Sequence, residues 1–232
     1  MPRDPHSVFD EPIFQDLPRA KDAAEHEVWS EPGLAPGARP PDAAQTYSGL
    51  LREKWRRASP ELSWLTVAGL ACAAGPFAVL AALMKTSAHS FALAAIIIAP
   101  LVEELGKAAA PLMTLERWPY RFISGTQLVL VCVASGLVFA TIENLLYLHL
   151  YVKAPSAAYA TWRWSVCTAL HVGCSLIAGL GLRRIWLAAR AEYTRPDVSK
   201  AASYFIAAMV LHGAYNALVY LLEKSSLLAF GQ

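Results

Sequence analysis

From residue 60 onward the chain alternates long apolar runs with short polar breaks. Each run is close to the ~20 residues that a helix needs to cross a bilayer. Five spanning helices are expected, at residues 62–84, 91–115, 123–151, 162–188 and 201–222. Pro76 and Pro100 fall inside the first two and predict kinks, because proline removes an intrahelical donor. Trp64, Trp118, Tyr120, Tyr151, Trp162 and Trp186 stand at the ends of runs, where a bilayer meets water. The pattern predicts an all-α fold: a polytopic transmembrane helical bundle with a disordered N-terminal tail.

The tail is residues 1–45, polar and carrying eight of the chain's 15 prolines. It has too little apolar surface to offset the entropy of ordering. Short apolar patches such as Val8–Phe9 and Ile13–Phe14 are candidate docking points. Residues 47–57 (YSGLLREKWRR) read as a juxtamembrane helix whose basic end meets lipid head groups. Two regions follow: 1–57, a cytoplasmic tail with its juxtamembrane segment, and 58–232, a transmembrane catalytic domain. The first 50 residues hold no apolar run, so the first span is expected to act as an uncleaved anchor.

Charge sets the orientation. Arg52, Lys54, Arg56 and Arg57 precede the first span, and Arg117 and Arg121 separate the second from the third. Arg183, Arg184, Arg190, Arg195 and Lys200 surround the link from fourth to fifth. The opposite loops carry only Lys85, Lys153 and Arg163. Positive residues stay inside, which places the N-terminus in the cytoplasm. The net charge of +2 is spread over segment ends and forms no basic face, so nucleic acid is not an expected partner. The lipid bilayer is. Cys72, Cys132, Cys167 and Cys174 all lie in apolar runs and predict no disulfide framework.

Against this apolar ground a few ionisable residues stand out. Glu103, Glu104 and Lys107 lie in the middle of the second span. Each costs roughly 2.5–3.5 kcal/mol at a bilayer centre, so a buried functional site is the default reading. At ~1.5 Å per residue, Glu103 lies ~18 Å below the outer face, Glu143 ~12 Å and His171 ~13 Å, with His212 near mid-membrane. Four helices thus carry polar groups in one layer. Glu103 and Lys107 share a helix face, as do Phe139 and Glu143, and His212 and Asn216. Adjacent carboxylates beside a lysine suit a general base for water. Cys167, His171 and Cys174 also share a face and form a second, weaker candidate set for a metal or a nucleophile. Gly173, Gly179 and Gly181 predict close helix approach.

In motif content and order the chain resembles the PrsW family of intramembrane proteases, related to the CAAX-protease and bacteriocin-immunity superfamily. Glu103-Glu104-x-x-Lys107 resembles its paired-glutamate motif and Phe139-x-x-x-Glu143-Asn144 its second. Arg163 followed by His171 resembles the third, and His212-Gly-x-x-Asn216 the last. The resemblance spans about residues 93–220. It implies an enzyme of the cell (inner) membrane that hydrolyses a peptide bond of a membrane-anchored protein, in the class of anti-sigma factors.

Two mechanisms follow from these residues. In one, His171, His212 and a carboxylate, Glu143, hold zinc, and Glu103 or Glu104 takes a proton from water. In the other no metal is present: Glu103 activates water, assisted by Glu143 or His171, while His212 and Asn216 stabilise the oxyanion. Set against both are a non-enzymatic binding or immunity-type protein on the same scaffold, and a proton pathway through the same buried residues.

Overall fold

In the computed structural model, residues 46–86 and 93–225 are described. The expected tail, with its apolar patches, lies outside the described residues. All described residues belong to one unit, Ala44–Gln232. Among them there are helices and no strands.

The first helix, α1 (Tyr47–Arg56), is capped by Thr46, whose hydroxyl accepts from the Gly49 N–H at 3.1 Å. Part of its apolar face is turned into the bundle. Leu51 and Trp55 are buried, and Trp55 Nε1 donates to the Phe122 carbonyl at 3.2 Å. Trp186 and Tyr193 meet the Trp55 ring edge to face, at 6.2 and 5.9 Å. Its basic end, Arg56 and Arg57, is exposed and pairs with Glu53.

Next come α2 (Pro60–Cys72) and α3 (Ala74–Thr86). They form one span broken at Ala73, three residues before Pro76, where the proline kink was expected. A five-residue π-turn, Ala94–Ile98, opens α4 (Ala99–Arg117), so Pro100 also sits at an interruption. Pro111, by contrast, lies inside α4. Ser124 and Gln127 close a capping box at the start of α5 (Gly125–Leu146), which ends in a second π-turn, Tyr147–Tyr151. The short α6 (Ala157–Trp162), a third π-turn (Arg163–Cys167) and α7 (Thr168–Glu192) run on as one long stretch. The last helix is α8 (Ala202–Lys224).

Among the described residues four stretches are long and apolar enough to cross a membrane: Pro60–Ala81, Gly125–Tyr151, Ala157–Glu192 and Val198–Lys224. The remaining expected span corresponds to α4 with its π-turn. Its three charged residues, Glu103, Glu104 and Lys107, keep it below that level of apolarity. Expected span ends hold to within a few residues, except that the fourth begins earlier, at Ala157.

The outward surface is apolar: Leu65, Leu83, Ile97, Leu105, Leu137, Ile206, Val210, Leu218 and Leu221 are all exposed. The inside holds small residues and polar groups instead, the arrangement expected where lipid is the solvent. Close packing of α5 on α7 is carried by glycines. A Cβ at Gly136 would come within 2.5 Å of Ser175 Oγ and 2.9 Å of the His171 carbonyl. One at Gly179 would meet Cys132 and Val129 at 3.0 Å, and one at Gly181 would meet Tyr204 at 2.9 Å. Gly173 corrects the sequence expectation: nothing lies within 4 Å of its Cβ position.

The basic residues gather at one end. Arg190 stacks over Trp55 at 5.0 Å, Arg195 reaches Glu116 at 3.3 Å, and Trp186 Nε1 donates to the Pro119 carbonyl at 3.1 Å. Arg163 does not belong with the loop charges. It is 7% exposed and points into the bundle.

Candidate active site

Glycine at 136 brings α7 against α5, and α4 and α8 pack beside them. One layer of polar side chains results. Glu103, Glu104, Lys107, Glu143, Asn144, His171 and His212 are all buried, and Asn216 is half-buried.

These residues form a continuous chain. Arg163 Nη2 donates to Glu143 Oε2 at 2.9 Å, and His171 Nε2 lies 2.9 Å from the same oxygen. His171 Nδ1 is 3.3 Å from Lys107 Nζ, which donates to Glu104 Oε1 at 2.6 Å. His212 Nδ1 lies 2.6 Å from that same Glu104 oxygen, and His212 Nε2 lies 3.7 Å from Glu103 Oε2. A carboxylate only accepts, so the His171 Nε2–H and His212 Nδ1–H donate, and His171 Nδ1 accepts from Lys107. The two imidazoles meet edge to face at 5.0 Å, and Phe139 packs on His171 at 5.4 Å. With neutral histidines, Glu103, Glu104 and Glu143 exceed Lys107 and Arg163 by one negative charge. A buried site with that excess attracts a proton or a cation.

Lys107 meets Glu104, its neighbour three residues back. The oxygen that Lys107 and His212 do not use, Glu104 Oε2, is buried and makes no hydrogen bond to a described residue.

Glu103, His171 and His212 each present a ligand-type atom, and these atoms lie within 4.8 Å of one another. The carboxylate that joins the two histidines is thus Glu103. Glu143 instead takes His171 and Arg163 on one oxygen. The donor set fits a divalent transition ion. So does the support behind it, since a metal-ligating histidine commonly gives its other N–H to a carboxylate, as His212 does to Glu104. His171 has both nitrogens engaged, and an ion takes it only by displacing Lys107 or Glu143.

The two asparagines hold backbone. Asn144 Nδ2 donates to the Arg163 carbonyl and to Thr168 Oγ1, each at 3.1 Å. Asn216 Nδ2 donates to the Ala95 carbonyl at 2.8 Å. All four cysteines are free thiols. Cys167 lies 3.5 Å from the Tyr215 hydroxyl and Cys174 is fully buried.

A cavity of about 190 Å³ reaches the site from the end of the bundle opposite the arginine-rich one. Buried Glu143, Arg163, His171 and His212 line it, together with half-buried Tyr147, Tyr159, Trp162 and Tyr215. Each of the three π-turns lends it residues.

A family model described as PrsW family intramembrane metalloprotease matches residues 60–231. The chain belongs to the PrsW family. Comparison with curated proteins and with solved structures gave no match. As a PrsW protein it is a multi-pass membrane protease, in agreement with its four apolar stretches. Arg163, which the third motif sets before His171, is a buried residue of the site to which the sequence reading gave no role. Its sequence signal was its place in that motif, at the lip of an apolar run eight residues before His171.

Proposed function

We propose that this PrsW protein is an endopeptidase that cuts membrane-anchored proteins near the outer face of the cell (inner) membrane. The supporting observation is the unbroken polar chain from Arg163 to Glu103, buried among apolar helices and reached by a cavity at the end away from the basic residues. With basic residues inside, that end faces outward and the N-terminus is cytoplasmic. The anti-sigma-factor class enters through the sequence resemblance.

In the reaction, water attacks the carbonyl carbon of the scissile peptide. Its proton passes to Glu104 Oε2, the carboxylate oxygen that Lys107 and His212 leave available. Lys107 and the His212 Nδ1–H hold that carboxylate in place. The same proton then goes to the leaving amide nitrogen as the C–N bond breaks. Glu143, itself held by Arg163, fixes His171 on α7 through the Nε2–H, and His171 Nδ1 in turn holds Lys107 beside Glu104. Glu103, His171 and His212 are the residues that would hold zinc, and the ion would supply Lewis acidity at the carbonyl.

The test is cleavage of tagged single-span membrane proteins in cells and in liposomes. Wild type is expected to cut, and Glu104→Gln and His171→Ala are not. Equal cleavage by all three overturns the reading in favour of a non-catalytic role.

A further inference from the structure

The ends of α4 and α8 meet at a defect in the backbone. In the π-turn Ala94–Ile98 the Ala99 N–H bonds to the Ala94 carbonyl. An α-helix would have sent it to Ala95. The next residue is Pro100, which has no N–H to give. The Ala95 carbonyl therefore loses both intrahelical donors, at i+4 and at i+5, inside the membrane region where an unmet carbonyl is costly. Asn216 Nδ2 fills the gap at 2.8 Å. The neighbouring Ile96 carbonyl loses its i+4 donor to the same proline, and it points at Gly213. A Cβ there would sit 2.6 Å from the Ile96 oxygen, so only glycine lets α8 approach.

We infer that Asn216 and Gly213 form a latch on the carbonyls that Pro100 leaves open, and that Asn216 acts as a positioning residue and does not touch the substrate. The latch lies across the same α4–α8 contact as the His212–Glu104 pair, with Gly213 next to His212 in the chain. It sets the rotation and depth of α8 so that the His212 Nδ1–H meets Glu104 and Nε2 faces Glu103. The functional consequence rests on the proposed proteolysis; the latch itself does not.

Proline is the lever for the test. Pro100→Ala restores one N–H to the turn, which can supply the Ala95 carbonyl from within the helix in place of Asn216. In the wild-type background Asn216→Ala is expected to lower kcat about tenfold with KM nearly unchanged, and in the Pro100→Ala background only about twofold. A group that polarises the scissile carbonyl would lose as much in either background, and that outcome overturns the latch. The same four proteins, purified in detergent, give a cycle of thermal unfolding midpoints that needs no substrate. The Asn216→Ala shift is expected to shrink in the Pro100→Ala background, and equal shifts in both overturn the latch. If wild type cuts nothing, the proposed activity falls while the unfolding cycle still decides the latch.

Discussion

Arg163 reaches Glu143 in the cavity lining and gives it a charged hydrogen bond at 2.9 Å, on the oxygen that His171 also uses. The guanidinium lies 4.1 Å over the Tyr147 ring, and Asn144 holds the Arg163 carbonyl. Arg163 is therefore fixed at both its backbone and its tip. It anchors the carboxylate that orients His171.

Removing that cation strands a buried carboxylate. Arg163→Ala is expected to cost about 3–5 kcal/mol of stability, the usual penalty for an uncompensated buried charge. Arg163→Ala combined with Glu143→Gln removes the stranded charge and is expected to recover most of the stability but no activity. Unfolding of the detergent-solubilised variants measures the first part and cleavage the second. A stable, active Arg163→Ala protein would contradict the anchoring role.

Glycine spacing gives a second, sharply paired expectation. Gly136→Ala drives a methyl group into Ser175 and the His171 carbonyl, and α5 and α7 must part. The expected cost is about 1–3 kcal/mol, with loss of activity because His171 leaves Glu143. Gly173→Ala meets open space and is expected to leave unfolding and cleavage unchanged. Comparing the two midpoints tests the helix contact directly.

The span pattern and the depth of the polar layer were legible in the sequence, because hydropathy and helical rise fix both. Helix faces were legible too: His212 and Asn216, one turn apart, do both meet the end of the chain that leads into and through α4. What one sequence does not carry is the rotation of one helix against another. Glu143 is the carboxylate that the sequence reading pairs with the two histidines, and packing brings Glu103 to them instead. The π-turns add to this. Each inserts an extra residue and turns everything beyond it by about 100° relative to a continuous helix, which no 3.6-residue pattern announces. Arg163 begins such a turn, so its burial was hidden. Gly136, where a Cβ would meet Ser175 Oγ at 2.5 Å, lay in a run of small residues with no mark of its own.

Orientation is open to chemical labelling. Cysteines introduced at Ser156, between the second π-turn and α6, and at Ser199, beside the basic end, lie on opposite sides of the bundle. In intact cells a membrane-impermeant maleimide is expected to label Ser156→Cys and to leave Ser199→Cys unlabelled until the membrane is opened. The reverse pattern would place the cavity mouth in the cytoplasm and remove outward-facing substrates from consideration.

Metal content separates the two carboxylates by role. If Glu103, His171 and His212 are the ligands, purified protein supplied with zinc is expected to hold about one ion per chain, as three protein ligands with an open position do. Glu103→Gln, His171→Ala and His212→Ala are each expected to abolish stoichiometric binding. Glu143→Gln is expected to keep it with affinity weakened about 10–100-fold, the usual effect of losing a carboxylate behind a ligating histidine. A titration read by metal analysis after gel filtration distinguishes these cases without any substrate. Loss in Glu143→Gln but not in Glu103→Gln would exchange the two carboxylates between ligand and support. A well-folded wild type that binds no zinc would leave Glu104 and water to carry the hydrolysis, with the buried negative charge balanced by a proton.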